Sequence, residues 1–315
     1  MAVHSKFILF QIAVFLPFLI GYLVRGRVKE PQPFTRKLLR VNIIGLEPVI
    51  NFWCIWRLKL SFDVMFLPLA GISLIAIGFI MGTLFLHLIG LAGKKRPTFL
   101  LSSSLANHGF TMGGYLCYFF LGEKGLGLAL ILMLYFIPYV YCFVFPYAKV
   151  VADNASDRTG FLRKFVLDPQ NMPLLAMISA FIFQLQGIKS PDIYFPIDFL
   201  LLASIALYYL TLGVNFSGVE VKRLKKEHLS LATIKFILVP FVAFCILRFV
   251  HLDPAIKSVI MIQAFMPTAI YSVVTALLFE LDEQFAAKLF LCNTLLFLTL
   301  IMPGMVLLKG VLLHL

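Results

Sequence analysis

Two adjacent side chains with hydrogen-bonding chemistry, Asn107 and His108, sit in the stretch SSLANHGFTMGGYLCYFF, Ser103 to Phe120, flanked by almost pure hydrocarbon sequence. An amide supplies N–H donors, and an imidazole donates, accepts or carries a proton. Gly109, Gly113 and Gly114 beside them weaken a continuous helix and allow close approach to the backbone. A second group, Gln263, Thr268, Ser272 and Thr275, surrounds Pro267. That proline offers no N–H to the carbonyl of Gln263 and its ring clashes there, so a helix through it should kink or break. A third pair is Glu47 and Asn51, one turn apart on one helix face. A carboxylate inside an apolar span is costly and functional by default, and desolvation favours its neutral form, so Glu47 is a candidate proton carrier.

Each group has a structural alternative. Asn107 can serve as helix–helix glue. His108 points about 100° away from Asn107 on an intact helix, so both face one cavity only if that helix is broken. Otherwise His108 is a buried interhelical hydrogen bond. Glu47 can be held permanently neutral or paired, with His108 or Lys235 as partners. The hydroxyls around Pro267 can line a cavity or simply satisfy the backbone that the proline frees.

The elements that position these residues follow from composition. The 315-residue chain is 61% hydrophobic and only 13% charged, against about 25% charged in soluble domains. It reads as an all-α polytopic membrane protein forming a single unit, 1–315. Apolar runs near the ~20 residues a bilayer core requires occur at 7–24, 41–58, 64–91, 98–121, 126–147, 170–187, 197–217, 231–250, 257–279 and 286–308. The second, fourth and sixth are diluted by polar residues, and the sixth could instead be re-entrant or interfacial. The segment RGRVKEPQPFTRKLLR, 25–40, with its two prolines, is expected to be a solvated loop leading into a helix.

Alternate loops carry 18 of the 27 Lys and Arg, against 8 on the other side. The remaining one, Lys235, can snorkel to the richer side. The positive-inside rule then puts both termini outside the cytoplasm of a plasma (inner) membrane. The first span is expected to be an anchor rather than a cleaved signal, because Arg25 and Arg27 follow it and no small-residue cleavage pattern intervenes. The net charge of +12 is accounted for by cytoplasmic loops and anionic lipid, without nucleic acid. Five cysteines, all in apolar spans and without a C-x-x-C, read as small hydrophobes, so no disulfide, metal or cofactor is expected. Catalytic and nucleotide-binding motifs are lacking, which points away from an enzyme.

Asn107 to Phe145 laid over Pro267 to Met305, at an offset of 160, gives the same order of features: a polar-interrupted span, a short acidic turn, then a long span broken late by proline. Repeats of five spans enter the membrane from opposite sides, so 7–147 and 170–310, joined by a short cytoplasmic loop at 148–169, are expected to be inverted repeats. In secondary transporters so built, broken helices form a substrate site between the repeats.

The two interrupted spans, the run MPTAIYSVVTALLF from Met266 to Phe279, LTLGVNFS from Leu210 to Ser217, and Pro48 in the second span resemble the auxin efflux carrier family, the PIN-like permeases, related to the bile acid:sodium symporters. The resemblance covers nearly the whole chain. It implies ten helices in two inverted repeats, with spans 1, 2, 6 and 7 as a scaffold. Spans 3–5 and 8–10 would form a transport domain whose crossed fourth and ninth helices hold an organic anion. It also implies a homodimer. Plant members carry proline in both crossovers and a long mid-chain loop, whereas this chain has Gly113-Gly114 and a short loop, which argues against auxin itself. The expected function is a secondary carrier for a small carboxylate, with substrate-binding residues Asn107, His108, Gly109, Gly113, Gln263, Pro267, Thr268 and Ser272. Coupling would run through a proton at Glu47 and Asn51, or through sodium as in the symporter relatives. A transporter-like sensor or regulatory protein is a further alternative. Partners are the anion and membrane lipid.

Overall fold

A computed structural model describes residues 3–59, 61–151, 172–215 and 225–308. The described residues are helical apart from turns and a single isolated bridge. In chain order the helices are α1 (Val3–Val24), α2 (Pro31–Arg40), α3 (Glu47–Arg57), α4 (Phe66–Ile89), α5 (Lys95–Ser104), α6 (Tyr115–Leu132), α7 (Phe136–Tyr139), α8 (Phe145–Val151), α9 (Met172–Leu185), α10 (Ile197–Asn215), α11 (Lys226–Thr233), α12 (Val239–Phe249), α13 (Pro254–Ala264), α14 (Tyr271–Leu278), α15 (Glu283–Leu296) and α16 (Met302–Leu307).

Several neighbours fuse into longer rods. Six of these are long and apolar enough to cross a membrane: Pro33–Arg57, Phe62–Ile89, Met112–Tyr135, Ile197–Asn215, Lys226–Phe249 and Glu283–Leu307. Met172–Leu185 and Pro254–Ala264 are shorter apolar helices. Large apolar side chains such as Phe62, Leu88 and Phe241 face outward on these rods, a surface that suits hydrocarbon and not water. The protein is an integral, multi-pass membrane protein.

The fusions have a repeated cause. π-helical turns at Val41–Leu46, Val140–Val144, Ile234–Leu238 and Phe297–Ile301 each end just ahead of a proline, namely Pro48, Pro146, Pro240 and Pro303. Proline in a helix lacks an N–H and crowds the carbonyl four residues back. Widening the preceding turn relieves that crowding without ending the helix.

The segment 25–40 departs from the expected loop. Helix begins at Pro31, because both Pro31 and Pro33 fall in the first turn, where a missing N–H costs nothing. The expected boundary near 121–123 is a kink inside α6, where Gly122 has φ 67°. The centre of the 148–169 loop lies outside the described residues.

The helices gather into two compact units. The first holds α1, α2, α3, α9, α10 and residues 121–130. Here α1 lies along α10, and α3 along α9. The Gln184 amide nitrogen caps the carbonyl end of α3, its two N–H donors shared among the Ile55, Trp56 and Leu58 carbonyls, and Trp53 stacks on Phe195 at 4.2 Å. The second unit holds α4, α5, the remainder of α6, α7, α8 and α11 through α16. Its α4 carries Gly78 and Gly82, four residues apart, and a Cβ at either would collide with Ser103 of α5. A G-x-x-x-G face of this kind lets two membrane helices touch backbone to backbone.

Candidate functional site

Two helices of the second unit stop in the interior: α5 at Ser104, and α13 at Ala264. The non-helical segments that follow meet. Ala106 and Thr268 form an antiparallel bridge, in which the Asn107 N–H donates to the Pro267 carbonyl at 2.8 Å and the Ala269 N–H donates to the Leu105 carbonyl at 3.1 Å. Proline is suited to this place because its carbonyl accepts while its missing N–H is not needed.

Ending a helix orphans carbonyls on one side of the break and N–H groups on the other, and in an apolar interior each must find a partner. At the end of α5, the Ser102 carbonyl accepts from Thr268 Oγ1 at 2.6 Å. The Ser104 and Leu105 carbonyls accept from Lys235 Nζ at 3.1 and 3.0 Å. At the end of α13, the Gln263 carbonyl that Pro267 cannot serve accepts from the Met266 N–H at 3.2 Å and meets His108 Nε2 at 3.1 Å. A carbonyl only accepts, so Nε2 carries the proton. In the neutral ring, Nδ1 then accepts from the Tyr135 hydroxyl 2.6 Å away. Beyond the break, the Thr268 N–H donates to Asn293 Oδ1 at 2.8 Å.

The structure brings Asn107 against Pro267, and His108 and Gly113 against Gln263, with Thr268 in the bridge, while Gly109 and Ser272 are hydrogen-bonded to none of the other site side chains. His108 can reach across to Gln263 because the helix is broken beside it; with both ring nitrogens engaged and 1% exposure, it braces the two breaks. Gln263 donates to the His108 carbonyl at 3.3 Å and packs its side chain on Gly113, where any Cβ would strike it. The Thr268 hydroxyl is spent on the Ser102 carbonyl, Ser272 on Ala269 and Thr275 on Tyr271, so these three satisfy backbone. Asn107 is half-buried at the crossing, and a Cβ added at Gly109 would meet nothing nearer than the tip of Met133, at 3.8 Å.

Lys235 departs most from its expected place. Instead of snorkelling it is 2% exposed, with its charge on the carbonyls that the break releases. Neither Tyr135 nor Asn293 stands out in the sequence, since a hydroxyl or an amide in an apolar span is common. The single available signal was Lys235 itself, set deep in an apolar run five residues before Pro240.

Glu47 belongs to the first unit and pairs with neither His108 nor Lys235. The Tyr208 hydroxyl donates to its carboxylate. It opens α3 immediately after the π-helical turn ahead of Pro48, and among the described residues it is the one buried carboxylate. Asn51 is turned to α9, its amide donating to the Pro173 carbonyl at 3.2 Å.

A family model described as membrane transport protein matches residues 12–306, nearly the whole chain. The chain belongs to this family of membrane transport proteins, the auxin efflux carrier family. Among its relatives, an uncharacterized transporter of Methanocaldococcus jannaschii is 25% identical over 225 residues, covering 71% of this chain and 72% of that protein. The membrane transport family gives the paired interruptions a context: in a carrier, irregular backbone at depth is kept where it is buried in protein or lines a path.

Proposed function

We propose that this protein is a secondary carrier that moves a small organic anion, a carboxylate, by alternating access at the crossing of its two interrupted helices. The observation that carries this reading is charge. The second unit buries an ammonium, Lys235, at the crossing, while the one buried carboxylate among the described residues, Glu47, lies in the first unit. A cation held in a low-dielectric interior by neutral carbonyls favours an anion nearby. Asn107, with its backbone pinned by Pro267, is the proposed contact for the carboxylate, with Gly113 and Gln263 shaping the floor.

The same reading takes the chain as ten spans in two inverted five-helix repeats, with both termini outside the cytoplasm of the plasma membrane, working as a homodimer. The grouping of α1–α3, α9 and α10 apart from the helices that bear the crossing supports a scaffold and a transport domain. Energy would come from an ion gradient, with Glu47 as the proton carrier and sodium as the alternative.

Counterflow of labelled malate and malonate in proteoliposomes, run at several pH values with and without sodium, tests the proposal. Exchange of a carboxylate is expected, and no exchange across a broad carboxylate panel would remove the carrier reading. Proton coupling predicts that Glu47→Gln retains exchange but flattens its pH dependence. An unchanged pH profile in that variant would take Glu47 out of the mechanism.

A further inference from the structure

Lys235 sits in the π-helical turn Ile234–Leu238 ahead of Pro240. Its ammonium has three N–H donors, and two point at the Ser104 and Leu105 carbonyls, the last of α5 and the first beyond it. The carbonyl end of a helix is its negative pole. Two converging carbonyl oxygens at such a pole make up the oxygen-rich surroundings that monovalent cations seek. Burying an ammonium costs several kcal/mol unless such groups receive it, so this position is shaped around a positive charge. A neutral residue would leave the Ser104 carbonyl without a partner in an interior without water, and the Leu105 carbonyl with only the Ala269 N–H.

We propose that Lys235 is a tethered cation: its ammonium takes the place of a bound monovalent metal ion at the broken end of α5, and so makes the crossing independent of sodium. The inference rests on the carrier reading for its consequence, because a carrier whose cation is covalently attached cannot draw on sodium at this position. That leaves the proton scheme at Glu47, far away in sequence and in the other unit. The same charge would serve as the fixed counter-charge of an anionic substrate.

The test reads stability and so needs no substrate. The full-length protein, purified in detergent, is melted in chloride salts of choline, sodium or methylammonium at one ionic strength. The wild type should melt at the same temperature in all three. Lys235→Ala, which removes the charge and opens space beside the carbonyls, should melt roughly 5 °C lower in choline and recover at least half of that loss in methylammonium, with sodium acting in the same direction. Lys235→Met keeps the hydrocarbon stem and fills the space, so it should lose stability without recovering in any salt. A wild-type protein stabilised by sodium over choline overturns the inference. Equal melting of Lys235→Ala in all three salts overturns it too. Both outcomes are independent of carboxylate exchange, so the inference and the carrier reading fail separately.

Discussion

A buried acid and a buried base of this protein sit beside similar turns and are held in opposite ways. Glu47 and Lys235 both lie at a π-helical turn just ahead of a proline. Glu47 is met by a side chain, the Tyr208 hydroxyl. Lys235 is met by the main chain, through the Ser104 and Leu105 carbonyls that lie where α5 stops. A side-chain partner can rotate away and let its charge change state at little cost. Backbone carbonyls cannot leave without unfolding the break. Under the proposed carrier reading, this difference would give the two groups different work: Glu47 to change its protonation, Lys235 to stay in place.

The strongest way to break the comparison is to loosen the break itself. His108→Leu leaves the Tyr135 hydroxyl without its acceptor, a buried orphan that costs ~1–3 kcal/mol, and strips the Gln263 carbonyl of one of its two donors. A loss of about 2–4 kcal/mol is expected in detergent unfolding, together with loss of protection of the Asn107 and Ala269 amides in hydrogen exchange. A loss confined to global stability, with those amides still protected, would mean that His108 is not the brace.

A smaller effect should follow at the acid. Tyr208→Phe removes one donor to Glu47 and is expected to cost about 1–2 kcal/mol. In a double-mutant cycle with Glu47→Leu the two losses should be markedly less than additive. Additive losses would mean that the hydroxyl does not hold the carboxylate, and the contrast with Lys235 would collapse. The smallest effect is expected for Pro240→Ala, which restores an N–H where the turn has already widened to do without it. A change within about 1 kcal/mol would separate the turn's shape from Lys235's hold on the carbonyls, while a large loss would tie the two together.

Much of the helical pattern was legible because its causes are local. Apolar runs near bilayer length mark the rods, and Pro267 marks a break through a missing N–H that any reader of the sequence can see. The polar residues at 107–113 and 263–272 were found as a group because hydrocarbon on either side made them conspicuous. What stayed hidden depends on partners distant in the chain. Lys235 in an apolar run fits snorkelling as well as burial, and only the carbonyls of a helix about 130 residues away decide between them. The partner of Glu47 is 161 residues off, so an equally plausible pairing with His108 could be neither chosen nor rejected from spacing. The early start of the second rod at Pro31 was misjudged because proline reads as a breaker, although at a first turn it is an initiator.

The bridge between Ala106 and Thr268 has a mechanical consequence. Two hydrogen bonds exchanged on either side of one residue pair make the smallest possible antiparallel ladder, and a ladder has a register. Sliding one strand by a single residue would turn every side chain to the opposite face, and it would trade Pro267, which has no N–H to satisfy, for a residue that has one. The two interrupted helices are thus riveted in one alignment, able to tilt as a pair but not to shear past each other. If the protein works as the proposed carrier, a displacement that carries a solute would have to be taken up by surfaces elsewhere, with the crossing moving as one piece.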